Sequence, residues 1–161
     1  MDKLLKLLKS NADFTAKQLA AMLGETEEAV ESRIAEYKKQ GIILGKQTII
    51  NWDKVPDADL KAIIGLKVTP KAETGFDDIA KAVLAFDNVE NVYLVASSSY
   101  DLLATTRGSS MQEIAEFVSK RISTLDNVVG TATSFVLTNY KTCGIPTVDN
   151  EEEQEQRSMI L

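Results

Sequence analysis

The sequence predicts an α+β chain in two parts, an N-terminal winged helix-turn-helix followed by a ferredoxin-like βαββαβ sandwich. Three observations carry this. Apolar residues recur at helical spacing through the first forty positions, with capping residues between the runs. From Lys61 onward the pattern changes to two-residue alternation interrupted by helical stripes. The second part also repeats itself: Phe76-Asp77-Asp78-Ile79-Ala80-Lys81-Ala82-Val83 echoes Met111-Gln112-Glu113-Ile114-Ala115-Glu116-Phe117-Val118, and Asp-Asn-Val follows each, at 87–89 and 126–128. At 161 residues the chain has room for two such small domains.

The first helix is expected over Asp2 to Lys9, where leucines fall at i, i+3 and i+4. Ser10-Asn11-Ala12-Asp13 breaks it. Thr15 caps a second helix, and Gln18 three residues later completes a capping-box pattern. Gly24 ends that helix, because glycine takes the left-handed turn at little cost. Thr26 caps a third helix whose buried stripe is Val30, Ile34 and Tyr37, and Gly41 stops it. Ile42-Ile43-Leu44 and Thr48-Ile49-Ile50, joined by Gly45-Lys46-Gln47, read as a small hairpin. A small Ala20, a turn Gly24 and a buried Val30 are the spacing of a helix-turn-helix: Ala20 lets the helices approach, Gly24 turns the chain, and Val30 locks the second helix on the first. Trp52, the only tryptophan, lies in the linker and reads as a plug between domains or against a partner subunit.

In the second part Ala62, Ile64, Leu66 and Val68 share one strand face, and Pro70 ends the strand. A helix with stripe Phe76, Ile79, Ala80 and Val83 follows. Strands are expected over Val92 to Ala96 and Tyr100 to Thr106, around a Ser97-Ser98-Ser99 turn. A second helix carries Met111, Ile114, Ala115, Val118 and Ile122, and the last strand runs from Val129 to Thr138. Two helices cover one face of such a sheet. Tyr93, Val95, Leu103 and Val136 are expected on the other, which calls for a sheet from a second chain.

Charge is distributed unevenly around a total of −6. Residues 1–55 hold nine Lys/Arg and eight Asp/Glu, residues 56–148 eight and eleven, and residues 149–161 one and five. The first part is therefore net positive, and whole-chain acidity is the wrong average for judging contact with nucleic acid. Residues 142–161 are expected as an acidic disordered tail, since positions 149–155 contain nothing apolar.

Several classes are excluded. The chain has no histidine, so no histidine base, triad or metal ligand exists. A single cysteine, Cys143, forms no intrachain disulfide and no thiolate zinc cluster, which fits a reducing cytoplasm. No apolar run approaches the ~20 residues of a membrane span, and Lys3, Lys6 and Lys9 interrupt the leucines of the first helix as no signal peptide does. No Gly-rich phosphate loop or suitably paired carboxylates suggest catalysis. The expectation is a cytoplasmic protein that is not an enzyme and needs no metal or cofactor.

Five segments together resemble the leucine-responsive regulatory protein/AsnC (Lrp/AsnC) family of transcription regulators. They are Gln18-Leu19-Ala20-Ala21-Met22-Leu23-Gly24, Val30-Glu31-Ser32-Arg33-Ile34, Gly41-Ile42-Ile43, Ser98-Ser99-Tyr100-Asp101-Leu102 and Thr133-Ser134-Phe135-Val136-Leu137. The resemblance covers about residues 3–141. It implies a DNA-binding domain over 1–51, a linker over 52–60 and an effector-sensing, oligomerising domain over 61–141. It implies double-stranded DNA and an amino-acid effector as partners, and homodimers that assemble to tetramers or octamers. Arg33 stands where the family keeps an arginine in its recognition helix. With Lys17, Lys38, Lys39 and Lys46 it is a candidate phosphate contact, and Thr26 and Ser32 complete the candidate DNA-binding set. The chain departs from the family at the front of that helix, where it carries Glu25, Glu27, Glu28 and Glu31. An amino-acid sensor or scaffold that has lost DNA binding and acts through protein partners is the alternative. The effector site implied is the turn Ser97-Ser98-Ser99-Tyr100-Asp101, with Asp101 receiving a ligand ammonium, completed by Thr131, Thr133 and Ser134 of the last strand across a subunit interface. Ser98 replaces a usual glycine there.

Overall fold

A computed structural model describes residues 2–71 and 75–148. The acidic segment expected from Asp149 onward lies outside the described residues. The chain divides into two units, Met1–Thr48 and Ile49–Leu161.

In the first unit, α1 spans Lys3–Ser10, and the Asp2 carboxylate caps it by accepting from the amides of Leu4 and Leu5. The second helix, α2, spans Ala16–Leu23 and opens on a complete capping box between Thr15 and Gln18. It closes on Gly24 at φ +70°, a left-handed conformation that a side chain would strain. The third, α3, spans Glu27–Lys39, with the Thr26 hydroxyl accepting from the amide of Ala29. Leu4, Leu19, Ala20 and Val30 form the buried centre, and Leu7, Phe14, Ile34 and Tyr37 pack around it. The three helices thus meet on the seam expected from Ala20 and Val30.

The expected hairpin is a correction. Residues 42–50 carry no strand pairing. Leu44 is 93% exposed, and Ile42, Ile49 and Ile50 are exposed as well. Most apolar side chains of the two short runs stay exposed, and an isolated two-strand hairpin is marginal in water.

The second unit opens on a 3₁₀ turn, Trp52–Lys54. Its sheet comprises β1 (Leu60–Val68), β2 (Val89–Leu94), β3 (Leu102–Gly108) and β4 (Val128–Phe135), in the order β2-β3-β1-β4. Every pairing is antiparallel, with Ile64 opposite Ala104 on one side and Thr133 on the other. The crossovers are α4 (Asp77–Leu84) and α5 (Met111–Phe117), the latter running into a π-helical turn, Val118–Ile122. This is the βαββαβ sandwich read from the internal repeat.

Ala62, Ile64, Leu66 and Val68 are buried beneath the helices with Ile79, Val83, Leu102, Ala104, Ile114, Val118 and Ile122. Within the α5 stripe, Met111 and Ala115 are exposed. The buried line steps by four through Ile114, Val118 and Ile122, and Met111, in the first turn, is left off it. Thr106 is buried but satisfied, its hydroxyl donating to the carbonyl of Asn88 at 2.7 Å.

The other sheet face carries Ile63, Tyr93 and Leu103, with Tyr93 paired to Leu103 in register. Tyr93 is 52% and Ile63 39% exposed, so the described residues leave much of this face open, Gly65 being covered by the Tyr100 ring. Residues 142–148, expected as the start of a disordered tail, are ordered. The strands β5 (Lys141–Thr142) and β6 (Ile145–Pro146) pair around Cys143-Gly144. The side-chain Nδ2 of Asn51 donates to the Thr147 carbonyl at 2.6 Å, and the Asp53 carboxylate accepts from the Asn139 backbone amide at 3.1 Å. These long-range bonds hold the arm to the start of the unit, which local composition does not report. Among the described residues no helix is long and apolar enough to cross a membrane.

Candidate DNA-reading and effector sites

The helix α3 presents Glu27, Glu28, Ser32, Lys38 and Lys39 to solvent. Carboxylates in the first turn and cations in the last both suit the helix dipole, by about 0.3–1 kcal/mol each when exposed. Lys17 is exposed on α2, Thr26 is occupied as the N-cap of α3, and Lys46 is exposed beyond the helix. Among the described residues Lys17, Lys38, Lys39 and Lys46 form no ion pair, so their charge is available to an anion.

Arg33 differs from these lysines. One guanidinium nitrogen donates to both carboxylate oxygens of Glu25, at 2.6 and 2.8 Å, and the other to Asp2 at 2.8 Å. The Tyr37 hydroxyl donates to the same Asp2 oxygen at 2.5 Å. One arginine thus ties the turn before α3 to the N-cap of α1. The Tyr37 hydroxyl foremost holds the Asp2 carboxyl down at about 2; the backbone amides and Arg33 reinforce this against partial burial. Arg33 is pushed above the usual arginine range, first by Glu25. Its place in the sequence suggested a phosphate contact, but its geometry is that of a clasp. Glu25 and Arg33 stand eight positions apart across a turn, and no periodicity signals such a pair. The clasp also removes Glu25 from the acidic front of α3 and leaves Glu27, Glu28 and Glu31 exposed.

In the second unit the serine turn follows β2. Ser97, Ser98 and Ser99 are exposed, and the Ser97 hydroxyl accepts from the Ser99 amide at 3.2 Å. The Tyr100 ring lies against Gly65: a Cβ there would meet ring atoms at 2.7 Å, closer than carbon atoms approach, and a Cβ is fixed by the backbone and has no torsion with which to move aside. A glycine at the centre of β1 is what admits the ring. Asp101 is anchored within the chain. One oxygen accepts from the Val68 amide at 2.9 Å and the other from the Lys67 ammonium at 3.2 Å. Those bonds, the Val68 amide foremost, hold its carboxyl below the usual aspartate range despite some burial. Lys67, unmarked in the sequence, is therefore part of this site.

The last strand splits the expected effector set. Thr131 and Thr133 alternate with Ala132 and lie on the helix-covered face, opposite buried Leu66 and Ile64. The Thr131 hydroxyl is hydrogen-bonded to Ser123 at 3.1 Å. Ser134, opposite Ile63, is exposed on the bare face. Strand parity thus separates the two threonines from Ser134 and from the ring of Tyr100. Trp52 stacks under the Arg107 guanidinium, 5.0 Å from its centroid, and Arg107 pairs with Glu90 at 2.5 Å. Among the described residues no acidic, cysteine or histidine cluster is set to hold a metal ion.

A helix-turn-helix with free lysines, carried in one chain with a βαββαβ sandwich whose outer face is bare, is the architecture of a ligand-responsive transcription regulator. Residues 61–145 match the Lrp/AsnC ligand binding domain, and this chain belongs to the Lrp/AsnC family. It is 39% identical over 140 residues to the HTH-type transcriptional regulator YugG of Bacillus subtilis, covering 86% of this chain and 84% of that protein. It is 30% identical to the HTH-type transcriptional regulator LysM of Saccharolobus solfataricus over 138 residues, covering 86% and 92%. In fold it is similar to the feast or famine regulatory protein of M. tuberculosis, solved in complex with L-methionine. The TM-score is 0.70 at 24% identity, covering 86% of this chain and 90% of that one. These relatives are regulators, and the family is one of transcription regulators rather than enzymes.

Proposed function

We propose that this chain is a cytoplasmic transcription regulator that binds double-stranded DNA through residues 1–51 and answers to an amino acid held by residues 61–141, with 52–60 connecting them. The observation that carries the DNA reading is the locked α2–α3 seam, Ala20 against Val30, which fixes α3 while Lys17, Lys38, Lys39 and Lys46 remain unpaired among the described residues. These lysines contact phosphate, Thr26 and Ser32 lie along the same surface, and Arg33 positions α3. The effector is bound at the Ser97–Asp101 turn. The complex of the mycobacterial protein with L-methionine supports the ligand class, and Ser134 on the bare face supports completion of the site by a second chain. The bare face carrying Ile63, Tyr93 and Leu103 supports a homodimer, which assembles further to a tetramer or octamer. Effector binding at subunit interfaces shifts the assembly, and with it the spacing of the DNA-reading helices.

The test is binding to the DNA upstream of the protein's own gene across a salt series. Four lysine–phosphate contacts give a slope of log K against log salt of about −3 to −4. No binding at low salt overturns the reading. One observation favours a second reading, a sensor without DNA binding: Glu27, Glu28 and Glu31 remain exposed at the front of α3. Neutralising all three leaves a pure sensor's activity unchanged, whereas a DNA-binding protein gains affinity.

A further inference from the structure

At the end of β1, Lys67 and Asp101 set a positive and a negative group 3.2 Å apart. The two are not held alike. Asp101 is fixed. Its second carboxylate oxygen accepts from the Val68 amide at 2.9 Å, its own amide donates to the Leu66 carbonyl, and its carbonyl accepts from the Val95 amide. The Lys67 ammonium has no such tether. Its side chain is 44% exposed, and among the described residues it pairs with Asp101 alone. An ion pair this open is screened by water and costs little to part. Strand alternation puts Lys67 on the bare face with Ile63 and Gly65. The Tyr100 ring over Gly65 forms an apolar wall beside the pair. Gly130 of β4 stands opposite Lys67 in register. Among the described residues, a Cβ on Gly130 would meet only the Lys67 Cβ within 4 Å, at 3.8 Å, so the space over Gly130 is open.

These charges decide what fits. A ligand ammonium brought to Asp101 alone stands against the Lys67 ammonium, and like charges that close repel. A ligand carboxylate brought to Lys67 alone stands against Asp101 in the same way. A ligand with both groups on one carbon answers both at once. We propose that Lys67 determines the specificity of the effector site: it receives the carboxylate of an α-amino acid while Asp101 receives the ammonium. The Lys67–Asp101 pair is then a placeholder for the ligand. Binding parts it, Lys67 turns to the ligand carboxylate, and Asp101 stays on the Val68 amide. Amines without the carboxylate and acids without the ammonium are rejected, because each leaves one member of the pair facing a like charge. This deepens the effector reading proposed above and rests on it.

Calorimetry on the full chain with L-methionine, its decarboxylated amine and its deaminated acid tests this. Where another amino acid binds more tightly, its own amine and acid take their place. The parent is expected to bind the amino acid at least about ten-fold more tightly than either analogue, the size of one charge-assisted hydrogen bond. Lys67→Gln is expected to weaken the amino acid about ten-fold and to leave the amine unchanged or tighter, since the repulsion is gone. Lys67→Arg keeps the charge and keeps the preference. A merely structural role, in which Lys67 only holds Asp101 in place, weakens the amino acid and the amine alike. Equal falls for both therefore overturn the proposal. So does a parent that binds the amine as tightly as the amino acid, or Lys67→Gln that leaves amino-acid affinity unchanged. If Asp101→Asn weakens binding and Lys67→Gln does not, the effector reading stands and Lys67 alone is removed from it. If neither change alters amino-acid affinity, or no amino acid binds, both readings fail.

Discussion

Glu25 and Arg33 face each other across the turn of the helix-turn-helix and are joined by two hydrogen bonds, 2.6 and 2.8 Å long. Both side chains are about one-third exposed, so solvent screens the pair and it adds little to stability. The pair occupies the Arg33 guanidinium and neutralises one carboxylate beside α3. Glu25→Gln is expected to release Arg33 on that side and to strengthen DNA binding two- to ten-fold at low salt, about one added phosphate contact. A DNA titration with Glu25→Gln that matches the parent at every salt concentration contradicts this.

The clasp at Asp2 carries a pH dependence of definite sign. Its carboxyl is lowered from an ordinary 3.8 to about 2 in the folded chain. A lowered folded value means that the stabilisation is complete above about pH 4 and is lost as pH falls toward 2. The Asp2 carboxyl resonance is expected to titrate near 2, and Tyr37→Phe to move it upward. A midpoint near the ordinary aspartate value in both proteins removes the clasp from the account.

Gly65→Ala probes the Tyr100 contact. An added methyl group meets the ring at 2.7 Å, and the backbone of the adjoining Asp101 is tied to Leu66 of β1 and to Val95. Overpacking of this kind costs about 1–3 kcal/mol. Thermal unfolding is expected to show that loss, and effector affinity to fall with it. An unchanged melting temperature places the ring elsewhere.

Asp101→Asn removes the charge that holds Lys67 while keeping an acceptor for the Val68 amide. Effector affinity is expected to fall at least ten-fold, since a charge-assisted hydrogen bond is worth about 1.5–3 kcal/mol. Stability is expected to change little, because Lys67 is well exposed and solvent screens the pair. Calorimetry with L-methionine and the other amino acids reads the first, and denaturant unfolding the second. Equal losses in both assign Asp101 a purely structural role.

Leu103→Glu places a charge at the centre of the bare sheet face, opposite Tyr93. If that face is a subunit interface, the variant is monomeric by light scattering at concentrations where the parent is not. Retention of the parent's mass assigns the assembly to another surface.

The order and type of the elements were legible in the sequence because they follow from local periodicity. Ala62, Ile64, Leu66 and Val68 alternate and are buried. Thr15 with Gln18, Gly24 and Thr26 mark their helix ends, and they do so in the fold. The repeat of 76–83 in 111–118 sufficed for the sandwich. Side-chain partnership was not legible. Arg33 reads as a recognition-helix cation until Glu25 and Asp2 are brought to it from eight and thirty-one positions away. Thr131 and Thr133 read as hydroxyls near a ligand until the register of β4 turns them toward the helices. The hairpin over 42–50 failed because strand propensity needs a surface to pack on, and the ordered arm over 141–148 was missed because Asn51 and Asp53 hold it from far away in sequence. Net charge divides along the same line. Sequence alone assigned a positive balance to residues 1–55 within an acidic chain. Only tertiary structure decided which cations are consumed inside the fold and which face solvent, because ion pairing depends on distances that chain order does not contain.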